Sequence, residues 1–122
     1  YLLWGDGVRR LPDPPAGEWV KVRARGATGW VKTADLGGSS LLEVYFIDVG
    51  QGDGILIKTP DFRHIVIDGG LPRSSQATGK SAADFIDWKF YEDYGHETIA
   101  LDALIASHND FDHYGGLIDL FE

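Results

Sequence analysis

Apolar and polar residues alternate through Trp19-Val20-Lys21-Val22-Arg23, the period-2 pattern of a half-buried strand. The pattern predicts strands at 18–23 and 29–32, a tight turn around Gly26 and a one-turn helix at 33–36. The LPDPPAG stretch before them is a turn-rich loop, because proline fixes φ and removes a donor. Three further apolar runs, VYFIDVG, GILIKTP and HIVIDGG, predict strands in hairpin order around a glycine-rich turn at 50–54, the third ending at Asp68. Ser81 then predicts the cap of a helix over 82–94. Asp84 takes the reciprocal capping position, and Phe85, Trp88 and Tyr91 or Glu92 form its apolar face. The short unbroken run LDALIAS predicts a fully buried strand, and GGLIDLFE the start of another helix. His64 is expected on a strand surface and His96 in a loop. Helices and strands together make the chain α/β.

With 122 residues the chain suits one compact domain better than two independent cores. Charge divides it unevenly. Residues 1–37 hold six Lys/Arg and four Asp/Glu (+2), and residues 38–122 hold five and fifteen (−10), which sum to the net −8. That shift, with the glycine- and serine-rich linker at 38–41, marks a boundary between an all-β segment at 1–37 and an α/β segment at 42–122. There is no cysteine, so disulfides, thiolate metal sites and cysteine nucleophiles are excluded. No apolar run approaches the roughly 18 residues of a membrane span, and a soluble protein is expected. The opening YLLWGDGV is neither an initiator nor a signal peptide, and residue 1 reads as an internal start.

The chemistry gathers in SHNDFDHYGG, residues 107–116, where His108, Asp110, Asp112 and His113 occupy four of six consecutive positions. In an extended turn His108 and Asp110 fall on one side while Asp112 and His113 diverge, so one loop can supply two pairs of ligands to two nearby cations. Imidazole and carboxylate together suit zinc, manganese or iron(II) better than copper(I) or an iron–sulfur cluster. The glycines at 115 and 116 let the backbone approach the site and open the next helix tightly.

Two resemblances follow from these residues. Trp19, Gly26, Gly29, Trp30, Val31 and Leu36 match the closing hairpin of a bacterial Src-homology-3-like barrel, over about a third of the chain. This resemblance implies that both tryptophans plug a small barrel; the alternative is a groove for a protein or glycan partner. DVGQGD at 48–53, IDGG at 67–70 and SHNDFDHYGG, in that order, resemble the metallo-β-lactamase superfamily. The nearest branch is the ComEC type, named for the hydrolase domain of DNA-uptake channel proteins. The usual metal motif is H-x-H-x-D-H; here Asp110 stands at the middle histidine, as is typical of that branch.

The second resemblance implies the N-terminal half of an αββα fold over 42–122. His108 and Asp110 would bind a first divalent ion, Asp112 and His113 a second, both zinc or manganese. Asp112 would also orient the attacking water. Asp68 at its strand end would support the ligands from behind, and Asp53 and Gln51 likewise; each of Asp48, Asp53 and Asp68 can also simply cap a turn. The implied activity is hydrolysis of phosphodiesters, with DNA as the substrate, by a nuclease of two metals; lactonase or esterase chemistry and a non-catalytic, partner-recruiting scaffold are the alternatives. The kinship implies a bacterial protein; its compartment stays open between cytoplasm and envelope. The superfamily takes a further His, a bridging Asp and a last His from later in its domain, so the chain is expected to be a piece of a longer protein, inactive by itself and exposing a sheet face meant for the rest.

Overall fold

Arg25 and Gly26 both adopt left-handed φ values, 51° and 71°, the pair of conformations that closes a two-residue hairpin turn with the right twist. In the computed structural model, which describes residues 1–3 and 5–122, this turn joins β2 (Trp19–Ala24) to β3 (Ala27–Lys32). β1 (Arg9–Arg10) pairs antiparallel on the other side of β2, and a 3₁₀ turn, Thr33–Asp35, follows β3. Val20, Val22 and Ala24 are buried in alternation with their neighbours. This three-stranded sheet does not close into a barrel. Trp19 and Trp30, expected to plug one, are therefore 41% and 45% exposed.

The second sheet has the order β4-β5-β6-β7. β4 (Glu43–Phe46), β5 (Gly54–Lys58) and β6 (His64–Gly69) are antiparallel neighbours, and β7 (Ala103–Ile105) lies parallel to β6. Register divides the side chains between two faces. Leu56, Val66, Lys58 and His64 face the helices, and with Ile86, Phe90 and Leu117 the two apolar members form the core. Each such apolar side chain, fully buried, contributes about 1.5–3 kcal/mol. The opposite face carries Val44, Phe46, Ile55, Ile57, Ile65, Ile67 and Ile105, all apolar, and among the described residues no helix covers it: Phe46 is 81% exposed.

The run LDALIAS therefore departs from its expected burial. β7 is an edge strand with one neighbour, which leaves Leu104 and Ile105 exposed. His64 departs in the opposite sense. It is 2% exposed, its ring 4.6 Å from that of Phe90 and 4.9 Å from that of Phe62. Strand alternation puts it on the helix-covered face beside Leu56 and Lys58, so the expected surface position is wrong.

Asp84 accepts the Ser81 N–H at 2.8 Å, as a capping residue should, and starts α1 (Ala82–Asp87). The expected single helix does not continue. From Trp88 to Tyr94 the backbone is π-helical, ending at Gly95 with φ 67°. The wider i→i+5 winding shifts the phase of the inward face, so Ile86, Lys89, Phe90 and Asp93 are buried while Trp88 and Tyr91 are exposed. Lys89 and Asp93 meet there in a buried ion pair of 2.5 Å, with the ammonium 4.4 Å from the centre of the Tyr45 ring. At the C-terminal end, Arg23 of β2 donates to the carbonyl oxygens of Glu92 and Asp93. These are the acceptors a helix end leaves unpaired, and the contact joins the small sheet to the larger unit.

α2 (Phe111–Ile118) begins before the double glycine, not at it. Asp110 takes the extended N-cap conformation, and its carbonyl accepts the N–H of His113 at 2.9 Å. Asp112 and His113 thus sit in the first helical turn rather than in an extended loop. Gly116 lets this helix approach the end of β6: its N–H donates to Gly70 O at 2.8 Å, and a Cβ there would stand 2.0 Å from Gly69 O. Among the described residues no helix is long and apolar enough to cross a membrane.

Candidate metal centre

Asp68, next to last in β6, has φ 57°, a left-handed conformation that aspartate tolerates better than most residues and that often marks a functional position. The bend turns its carboxylate toward the segment that follows β7. There Ser107 N–H donates to Oδ1 at 2.7 Å and Ser107 Oγ to Oδ2 at 2.6 Å; His113 Nδ1 lies 2.9 Å from Oδ2. Burial pushes the Asp68 carboxyl up, but the Ser107 hydroxyl, the Ser107 N–H and the His113 ring outweigh it, and the group titrates below the ordinary carboxylate range. Its hydrogen bond and charge in turn raise His113 above the usual imidazole value, against the opposing effect of desolvation.

Four loop residues surround this anchor. His108 and His113 lie side by side, ring centroids 3.8 Å apart. His108 Nε2 is 3.5 Å from Asp110 Oδ2, so that pair faces one way. Asp112, in the same helical turn as His113, meets Gln51, whose Nε2 donates to Oδ2 at 3.0 Å. The turn carrying Gln51 can approach because Gly52 has φ 89° and no side chain: a Cβ there would stand 1.6 Å from Asp112 O. Asp53, in the same turn, reaches within 3.8 Å of His113 Nδ1. Asp48 caps its own turn, accepting the Gly50 N–H at 3.2 Å.

No protein-family model, curated protein or solved structure matches the chain. The reading of the site therefore rests on its own geometry.

Asp53, Asp68 and His113 each bring one ligand atom within 4.8 Å of the others. Within that group, Asp68 is already committed. Three donors occupy its two oxygens and it is almost fully buried, which suits a carboxylate that orients a ligand rather than one that is a ligand. The exposed donors are His108, Asp110 and Asp53, with Asp112 and His113 half-buried between them and the core. Imidazole nitrogen and carboxylate oxygen crowded at one surface, with no lysine or arginine bonded to any of them among the described residues, fit a divalent cation of the zinc or manganese kind.

Ser107 is the member that spacing did not reveal. Its hydroxyl touches both Asp68 and His108 Nδ1, the latter at 2.9 Å. A hydroxyl residue between an apolar strand and a histidine was the only signal in the sequence. His64 and His96 lie elsewhere, stacked with Phe62, Phe90 and Tyr94.

Proposed function

We propose that the chain carries the first metal-binding loop of a metallo-β-lactamase-like hydrolase of the ComEC type, acting on phosphodiesters, with DNA as the substrate. The observation that carries this reading is the Asp68–His113 bond, a buried carboxylate of β6 holding Nδ1 of an imidazole that lies beside His108 in a segment also carrying Asp110 and Asp112. His108 and Asp110 would hold one cation, Asp112 and His113 a second, with Asp68 and Asp53 supporting. Divalent cations supply Lewis acidity and make water acidic enough to ionise near neutral pH.

The protein's own groups have separate tasks in this reading. Asp112, held by Gln51, would accept a hydrogen bond from the attacking water. Asp68 keeps His113 oriented. The apolar face of the second sheet suits the inner wall of an αββα sandwich, and the acidic surface around the loop requires cations before a phosphodiester can approach. Catalysis also needs the additional histidines and bridging aspartate of the superfamily.

The test is hydrolysis by the intact protein with zinc or manganese, comparing wild type with Asp112→Ala on DNA, a lactone and a β-lactam. DNA cleavage lost in the variant supports the reading. Turnover of lactone or lactam alone would move the substrate class, and a metal-free protein would leave only a scaffold. A second reading concerns the small sheet. The exposure of Trp19 and Trp30 favours recruitment of a protein or glycan there, tested by quenching of tryptophan fluorescence with glycan fragments.

A further inference from the structure

Ser107 Oγ lies within hydrogen-bond reach of two groups, 2.6 Å from Asp68 Oδ2 and 2.9 Å from His108 Nδ1. A hydroxyl has one hydrogen to give, and a carboxylate can only accept. That hydrogen therefore goes to Asp68, and the contact with His108 falls to a lone pair of Ser107, which requires a hydrogen on His108 Nδ1. Asp68 Oδ2 imposes the same demand on His113, whose Nδ1 stands 2.9 Å away. The bonds then read from His108 Nδ1–H to Ser107 Oγ, from Ser107 Oγ–H to Asp68 Oδ2, and from His113 Nδ1–H to the same oxygen.

We infer that Ser107 is a positioning residue which, with Asp68, locks both histidines as Nδ1–H tautomers, leaving the two Nε2 lone pairs free on the outer edges of the rings. An unconstrained histidine in water favours the opposite, Nε2–H form, so the lock is a specific act of the fold. It also gives meaning to a second contact. His108 Nε2 and Asp110 Oδ2 stand 3.5 Å apart, and in the locked form both are electron-pair donors, a pair that a cation placed between them would satisfy. The use of the lone pairs rests on the metal-site reading, but the tautomers are properties of the metal-free protein.

The experiment is long-range ¹H–¹⁵N correlation NMR of the imidazoles in metal-free protein at alkaline pH. Wild type is expected to show Nδ1–H for both His108 and His113. In Ser107→Ala, His108 should revert to Nε2–H while His113, still bonded to Asp68, keeps Nδ1–H; Ser107→Thr should restore the wild-type pattern. Zinc titration of the same samples should show affinity about 10- to 100-fold weaker in Ser107→Ala and recovered in Ser107→Thr. An Nε2–H form of His108 in wild type overturns the inference without any variant having to fold, as does an unchanged tautomer in Ser107→Ala. Locked tautomers in a protein that binds no zinc would uphold the lock and defeat the metal reading instead.

Discussion

His113 Nδ1 stands 2.9 Å from Asp68 Oδ2, so a strand-end carboxylate and an imidazole in the first turn of a helix, 45 positions apart, share one hydrogen bond. The bond links β6 to α2 and sets the ring that lies 3.8 Å from that of His108. Because Asp68 also accepts from Ser107 twice, its removal strands three donors at once. Hydrogen bonds to a charged group contribute about 1.5–3 kcal/mol each, and such contributions are not additive within one network. Asp68→Ala is expected to destabilise by about 3 kcal/mol or more in urea unfolding, with Asp68→Asn milder because the amide oxygen still accepts. An Asp68→Ala protein as stable as wild type would contradict this role.

Gly52 is required by proximity. With φ 89° and the Asp112 carbonyl where its Cβ would be, Gly52→Ala must push the 50–54 turn away from α2 and break the Gln51–Asp112 bond. Loss of several degrees in melting temperature is expected, with altered amide shifts at 110–114 in NMR spectra. Gly37→Ala, where nothing lies within 4 Å, is the control and should leave both unchanged.

The Lys89–Asp93 pair tests a different part of the account. Both side chains are buried and the contact is 2.5 Å, so removing one partner leaves the other charge unpaired, at a cost of about 3–5 kcal/mol. Asp93→Ala should therefore be strongly destabilising. Replacing both, as Lys89→Met with Asp93→Leu, should recover much of the loss, because the desolvation of two charges disappears with them. A double variant worse than the single one would contradict this, and chemical denaturation of both measures it.

His64 sets an acid limit. Burial, partly offset by the Asp102 charge and reinforced by Lys58 and His96, holds its ring below the ordinary value of 6.5. The native state therefore favours the neutral ring, and the unfolded chain takes up the proton first. This contribution to stability is intact above about pH 6.5 and declines as pH falls through that value toward the lower folded one. His113 titrates with the opposite sign, so the comparison must isolate His64. Melting temperatures measured across the acid range should fall less in His64→Phe than in wild type. Equal falls would contradict the assignment.

Local periodicity revealed the local features. The alternation around Val20 and Val22, the turn at Arg25–Gly26 and the capping role of Asp84 were legible because neighbours in sequence decide them. The phase of the π-helical segment was not, since nothing in the residue types of 88–94 announces an i→i+5 winding. Burial of His64 and exposure of Leu104 and Ile105 depend on which sheet face the helices cover and which strand falls at the edge. Both are settled by contacts distant in sequence. In the site, ligand types at 108, 110, 112 and 113 were visible from spacing, and Asp68 only through the resemblance of IDGG to the superfamily's strand-end aspartate. The start of α2 at Phe111 was missed because the double glycine looked like the helix opening, whereas Gly116 serves the close approach to Gly69. Ser107 was missed because its importance lies in two bonds, one of which reaches back 39 positions.

The central claim is that residues 107–113 form a divalent-cation site, and calorimetric titration of metal-free protein with zinc and with manganese tests it most directly. Wild type should bind at least one equivalent with a dissociation constant in the micromolar range or tighter, releasing protons if either histidine is charged. His108→Ala/His113→Ala should lose that binding while keeping its far-ultraviolet circular dichroism. Wild type that takes up no more metal than this variant would contradict the account.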